Sequence, residues 1–446
     1  MADIIPIFKK GSKHDPANYR PVSLTSVISK ICESLIRDEI VDHLLATEQL
    51  HEAQHGFRSG KSCITKLLAC LEDWTKCIEN GTPVDIAYLD YKKAFDSVPH
   101  KRLLKKLHGL GIRGRVLAWI ERFLLGRQQR VVVNGVKSTW SPVLSGIPQG
   151  TVLGPTLFLA FVNDLPSSIQ SRILMFADDT TVYNKSATSE DREQFQHDLD
   201  ALSLWSMKWL LPFNSSKCRT LHLGSDNNKQ RYTLAGLNIE QTTEERDLGV
   251  VIDENLKFRR QAAIAVSKAN RVLGTIRRSF ATLDKLIFPI LYKTLVRPLL
   301  EYGNAVWGPH NKEDQRLIER VQRRATKLVE ELRSLPYAER LKALNLSSLQ
   351  YRRHRGDVIL VYQMLQGRLN IHREVFFKEP SLRTTRGHPH KLAKPHAQTR
   401  ARRNHWSIRV INDWNSLPAD IVTAGSLNEF KNKIDKHWVR NRYSHP

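Results

Sequence analysis

Phe176-Ala177-Asp178-Asp179 is the stretch on which the reading turns. Two adjacent carboxylates stand between an apolar run, Ile173 to Phe176, and a β-prone run, Thr180 to Tyr183. That order predicts a strand, a tight turn and a second strand, with both acids at the tip. Carboxylates held at one point suit a divalent cation. Mg²⁺ takes oxygen ligands, usually one or two protein carboxylates plus substrate phosphates. Taken alone, an Asp-Asp pair at a turn is more often a solvated loop, so its weight comes from what lies upstream.

Upstream, Val84-Asp85-Ile86-Ala87-Tyr88-Leu89-Asp90 has the pattern of a half-buried strand ending on an acid. Tyr91 to Asp96 follows. A third carboxylate at a strand end can meet the first two in space. Two metals roughly 3.5–4 Å apart, held by such acids, clamp the attacking and leaving oxygens of a phosphoryl transfer. Asp90 with Ala94-Phe95-Asp96, then Ser145-Gly146-Ile147-Pro148-Gln149-Gly150, then Phe176 to Asp179, resembles the ordered signature of a reverse transcriptase. The flanking wording resembles the polymerases of non-LTR (LINE-type, jockey-like) retrotransposons.

The resemblance implies an α+β chain with the right-hand polymerase fold. Fingers and palm, with an antiparallel sheet, are expected over 1–255, a helical thumb over 256–340 and a basic C-terminal region over 341–446. The implied activity is RNA-directed DNA polymerisation. Asp90, Asp178 and Asp179 would be the catalytic residues and would ligate two Mg²⁺, with Mn²⁺ as a substitute. Lys9 and Arg20 would meet the incoming phosphates, and Phe95 would stand as a wall against a 2′-hydroxyl. Gln149 and Gly150 would border the nascent base pair, and Lys217 would lie near the departing pyrophosphate. The implied partners are an RNA template, a DNA primer or target, and dNTPs. LINE-type proteins carry an endonuclease ahead of the polymerase, whereas this chain opens inside the fingers, so an endonuclease domain is expected on a longer element product. A second reading, from another class, is an inactive retroelement fragment that binds RNA or DNA without polymerising.

Composition bears on the partners independently. Lys and Arg number 69 against 45 acids, a formal net charge of +24, which favours a polyanion: nucleic acid first, an anionic membrane surface second. No run of 18 apolar residues and no basic, apolar leader are present, so neither a membrane span nor secretion is expected. The five cysteines are odd in number and form no C-x-x-C pair, which indicates neither a disulfide framework nor a zinc ribbon. An intracellular, nuclear and cytoplasmic location is expected.

Other stretches place the remaining elements. Two short strands around Lys9 and Arg20 flank a basic loop, and Val27 to Leu45 follows as an amphipathic helix. Gln54-His55-Gly56-Phe57-Arg58-Ser59-Gly60-Lys61-Ser62 is one residue short of a P-loop and follows no evident strand, so it is not an ATP site. By resemblance it is a fingers motif near the template. Asn134-Gly135 predicts a hairpin turn. Arg316, Arg320, Arg323, Arg324 and Lys327 on a helix would track a nucleic-acid backbone. Residues 381–409 hold eight Lys or Arg and no acid, which reads as a basic, poorly ordered arm.

Overall fold

The computed structural model describes residues 1–380 and 387–441. These resolve into two compact units. The first comprises 1–58, 85–221 and 228–242; the second comprises 59–84, 222–227 and 243 onward.

In chain order the elements that matter are strands β1 (Ala2–Phe8) and β2 (Tyr19–Leu24), helices α1 (Val27–Ala46) and α2 (Cys63–Glu79), and strand β3 (Val84–Leu89). Next come β4 (Gln128–Val133), β5 (Val136–Lys137), α3 (Gly154–Val162), β6 (Arg172–Phe176), β7 (Asp179–Lys185), α4 (Ser189–Trp209), β8 (Arg219–Leu223) and β9 (Glu240–Thr242). The rest is β10 (Glu244–Asp247), β11 (Val250–Asp253) and a helical series that includes α5 (Arg259–Ser279), α6 (Lys312–Ala325), α7 (Leu349–Leu365), α8 (Arg400–Asn404) and α9 (Leu427–Asn441).

In the first unit, β1 and β2 pair antiparallel with Ile7 opposite Arg20, and the sheet runs β2-β1-β4-β5. The β4–β5 turn is Asn134-Gly135, both with positive φ, which is the conformation an Asn-Gly hairpin adopts. The second sheet of this unit has the order β9-β8-β3-β7-β6. Its strands bury Ile86, Ala87, Val182 and Leu221 completely. Helix α3 is apolar on every side, with Leu157, Phe158 and Phe161 fully buried. Its first turn is capped from a distance: the buried Glu33 of α1 accepts hydrogen bonds from the Val152 and Leu153 N–H groups, at 2.7 and 3.1 Å. A carboxylate on the unpaired N–H groups of a helix start satisfies donors the helix cannot satisfy itself.

The second unit is mainly helical. Its strands β10 and β11 form a hairpin through Leu248-Gly249, both at positive φ. Helix α2 starts on a capping box between Ser62 and Thr65.

The basic stretch expected to be a poorly ordered arm is a folded part of this unit. Residues 381–386 lie outside the described residues. From Gly387 onward the chain carries α8 and the buried Trp406 and Ile408. Arg402 reaches the fully buried Glu72 of α2 with two hydrogen bonds, of 2.7 and 3.0 Å, and Ser407 donates a third to the same carboxylate at 2.6 Å. Arg402 and Arg409 of this stretch thus find their counter-charges elsewhere in the sequence, in Glu72 and Asp357.

Candidate active site

Strand β3 ends at Leu89 and delivers Asp90. The next residue, Tyr91, is buried and stacks on Phe213 at 4.6 Å between ring centroids. The two aromatics pair across an antiparallel bridge, and Asn214 N–H donates to the Asp90 carbonyl at 2.7 Å. This pairing fixes the 213–218 segment alongside Asp90. It puts the Lys217 ammonium 3.1 Å from the Asp90 carboxylate and the Cys218 thiol behind it. Burial pushes the Cys218 thiol up to about 11, so it stays a neutral packing group.

The β6–β7 hairpin pairs Phe176 with Asp179. Its two loop residues are thus Ala177 and Asp178. Of these, only Ala177 has positive φ, +55°, at the position where a two-residue hairpin turn of this kind favours glycine. Holding a residue with a Cβ there costs about 1–2 kcal/mol. Asp178 is half-buried at the tip, whereas Asp179 is exposed and already the first residue of β7. Burial, and then the Asp90 charge, push the Asp178 carboxyl above its ordinary value, against Arg20 and Lys9, which pull it down.

Those four groups therefore share one field, although they come from three places in the chain. Lys9 and Arg20 are exposed at the loop end of the β1–β2 pair. Lys9 also pulls on Asp96. Among the described residues no three His, Cys, Asp or Glu side chains gather into a cation cage. The structure brings Asp90 close enough to Asp178 for its charge to raise the Asp178 carboxyl. Two mutually repelling carboxylates are an oxygen donor set that fits Mg²⁺, with substrate phosphates completing the shell.

Phe95 is half-buried. One face stacks on Phe158 at 4.6 Å and 15°. Its carbonyl accepts from Ile147 N–H at 2.7 Å, and Gly146 N–H donates to the Val98 carbonyl, so the loop Ser145–Gly150 is stitched onto the turn that carries Phe95. Gly146 makes this possible: a Cβ there would sit 2.7 Å from the Asp96 carbonyl oxygen. Gln149 donates its amide to Asp96 at 3.1 Å, and its carbonyl accepts from Ser23 N–H at 2.8 Å. Gly150 passes so close to β2 that a Cβ would lie 2.9 Å from the Ser23 carbonyl oxygen.

Two supporting residues, Asp96 and Gln54, stand in stretches the sequence singles out without giving them a role of their own. Asp96 orients Gln149, and burial raises its carboxyl. Gln54 reaches the Asp178 turn. The signal for Gln54 was present in the glycine-punctuated loop 54–62, but its partner lies 123 residues away.

The reverse transcriptase (RNA-dependent DNA polymerase) family matches residues 7–254. The chain is 30% identical, over 69% of its length and 35% of the relative's, to the RNA-directed DNA polymerase from mobile element jockey of Drosophila funebris. It is 29% identical, over 73% of its length and 37% of the relative's, to the probable RNA-directed DNA polymerase from transposon X-element of Drosophila melanogaster. A third relative, the probable RNA-directed DNA polymerase from transposon BS of Drosophila melanogaster, is 27% identical over 74% of the chain. The chain spans about a third of the length of these curated relatives. With that match over more than half of the chain, and with Asp90, the Gln149 loop and Asp178 gathered on one sheet and its flanking loops, the chain belongs to the reverse transcriptase family, in the branch of the non-LTR retrotransposons.

Proposed function

We propose that this chain adds dNTPs to a DNA primer on an RNA template, as the polymerase part of a retrotransposon's replication machinery. The primer 3′-hydroxyl gives up its proton to solvent and attacks the α-phosphate, a new phosphodiester bond forms, and pyrophosphate leaves with the electron pair of the broken P–O bond. The observation that carries this reading is the Asp90–Asp178 pair faced by Lys9 and Arg20. Two repelling carboxylates beside two exposed cations form a site that a metal-bound triphosphate completes.

Asp90 and Asp178 would hold Mg²⁺, or Mn²⁺ in its place, with Asp179 adjoining. Bound Mg²⁺ supplies charge stabilisation to the attacking and leaving oxygens. The chain's own residues do the positioning. Lys9 and Arg20 neutralise the triphosphate, Arg20 through its planar fork. Phe95, braced on Phe158, closes the space a 2′-hydroxyl would need. Gln149 and Gly150 border the new base pair, with Gln149 oriented by Asp96. Lys217 holds Asp90 and lies within reach of the leaving pyrophosphate.

The proposed functional partition is fingers and palm over 1–255, thumb over 256–340 and a basic C-terminal region over 341–446. The exposed Arg316, Arg320, Arg323 and Arg324 of α6 are the thumb's contribution to backbone contact. An endonuclease on the longer element product, and a nuclear and cytoplasmic location, belong to the same reading. Among the described residues no helix is long and apolar enough to cross a membrane.

Primer extension tests this directly. With poly(A), oligo(dT), dTTP and Mg²⁺, the chain should lengthen the primer. Intact RNA binding without extension would instead favour the binding-only reading.

A further inference from the structure

We infer that Gln54 is a positioning residue for the reaction, acting through the turn that carries Asp178; this rests on the reading of Asp178 as a catalytic residue. The segment Ala53 to Gly56 lies along the edge of the sheet beside β6. His55 N–H donates to the Met175 carbonyl, and Met175 N–H donates to the Ala53 carbonyl, both at 2.8 Å, with Gln54 bridged to Met175 in parallel. From there the Gln54 side chain, 2% exposed, turns its carbonyl oxygen onto two backbone donors. It accepts from Gly56 N–H at 2.8 Å and from Ala177 N–H at 2.9 Å.

Three features make this contact more than packing. Ala177 is the strained residue of the turn, with a Cβ at φ +55°. Its N–H is buried and would lose its partner without Gln54, which leaves a buried donor unpaired. The approach is also possible only at glycine: a Cβ on Gly56 would stand 2.5 Å from the Ala177 nitrogen. Gln54 and Gly56 together thus hold Ala177 in a conformation it does not favour. Asp178 follows directly, with its carboxylate aimed by that turn. A glutamine amide is suited to this work, since it offers an acceptor without adding a third negative charge beside Asp90 and Asp178.

The test compares the full chain with Gln54→Met, Gln54→Asn, Ala177→Gly, the pair Gln54→Met/Ala177→Gly, and Asp178→Asn. Extension rate, template affinity and the Mg²⁺ concentration for half-maximal rate are measured for each. Gln54→Met keeps the side-chain volume and loses the acceptor. It should lower the extension rate about 10–100-fold, the scale of a small misplacement of a catalytic group. It should also raise the Mg²⁺ requirement and leave template affinity within about twofold. Glycine adopts positive φ without strain, so adding Ala177→Gly to Gln54→Met should recover about tenfold of the loss. A purely structural role for Gln54 would not be relieved in this way. If Gln54→Met fails to fold, Gln54→Asn, polar but one methylene short, carries the same comparison. Wild-type rate and Mg²⁺ requirement in a folded Gln54 variant would overturn the proposal, as would a defect that Ala177→Gly leaves untouched. An inactive Asp178→Asn beside a wild-type-like Gln54→Met overturns the positioning role alone. An active Asp178→Asn overturns the catalytic assignment and this inference together.

Discussion

Glu72 and Asp178 are both acids held inside a folded unit, and they sit in opposite electrostatic surroundings. Burial pushes Glu72 up, but hydrogen bonds from His405 and Arg402 outweigh it and hold the carboxyl well below its usual range. Arg402, Ser407 and Lys76 all reach that one carboxylate. Asp178 has burial and a second carboxylate pushing it up, with its cations further off on another pair of strands. The Glu72 cluster is complete as folded. Of the Asp90–Asp178 pair, Asp90 meets Lys217 at 3.1 Å, while the Asp178 carboxyl stays raised. A structural ion pair satisfies itself, whereas a site for a cation and a triphosphate keeps its acids together and leaves the balance to the substrate.

If that contrast is right, the two acids respond differently to loss of charge. Asp178→Asn should have the largest effect on function. Extension should fall by roughly 10³-fold or more, the worth of several kcal/mol of charge stabilisation at the reacting oxygens. Its melting temperature should not fall, because the substitution removes a repelled charge. A variant that melts early would break the contrast.

Arg402→Ala should do the converse. It removes two hydrogen bonds and the charge of a side chain only 8% exposed from the buried Glu72 carboxylate. Loss of about 3–5 kcal/mol of stability is expected, seen as a lower denaturation midpoint. An unchanged midpoint would mean that Glu72 is satisfied without Arg402.

Phe95→Val sharpens the palm side. Opening that wall should cut discrimination against ribonucleotides by about 10–100-fold, the worth of one or two apolar groups in a pocket. Equal selectivity in single-nucleotide incorporation would reduce Phe95 to the packing partner of Phe158.

The smallest effect is on pH. Burial holds His405 below its ordinary 6.5, against the pull of Glu72. As pH falls below about 6.5 the unfolded chain takes up that proton more readily than the folded chain, so stability declines. Glu72, held below its ordinary 4.5, adds stability that is lost as pH falls further. Each group contributes a slope of at most about 1.4 kcal/mol per pH unit. A stability curve flat from pH 7 to pH 4 would contradict both assignments.

What was legible in the sequence was local. The apolar and β-prone runs around Asp178, the Asn134-Gly135 turn and the helix from Val27 are settled by near neighbours, and these elements formed as expected. The approach of Lys9 and Arg20 to Asp178 followed from the resemblance, since no local pattern contains it. Two features were not legible for one physical reason. Arg402, in the stretch 381–409, looked solvated because its counter-charge, Glu72, lies 330 residues before it. The clamp on Ala177 was hidden because a glutamine in a loop carries no periodic signal. Asp179 was expected beside Asp178 at the tip, and the strand register instead made it the first residue of β7.

The most direct test of the central claim, that Asp90 and Asp178 form a cation site completed by a nucleotide, is a Mn²⁺ titration followed by electron paramagnetic resonance, with and without a dNTP. Mn²⁺ should bind the wild-type chain weakly alone and at least about tenfold more tightly with the dNTP, since phosphates supply the missing ligands. Asp178→Asn should lose that gain. Equal binding by both proteins, indifferent to the dNTP, would contradict the account.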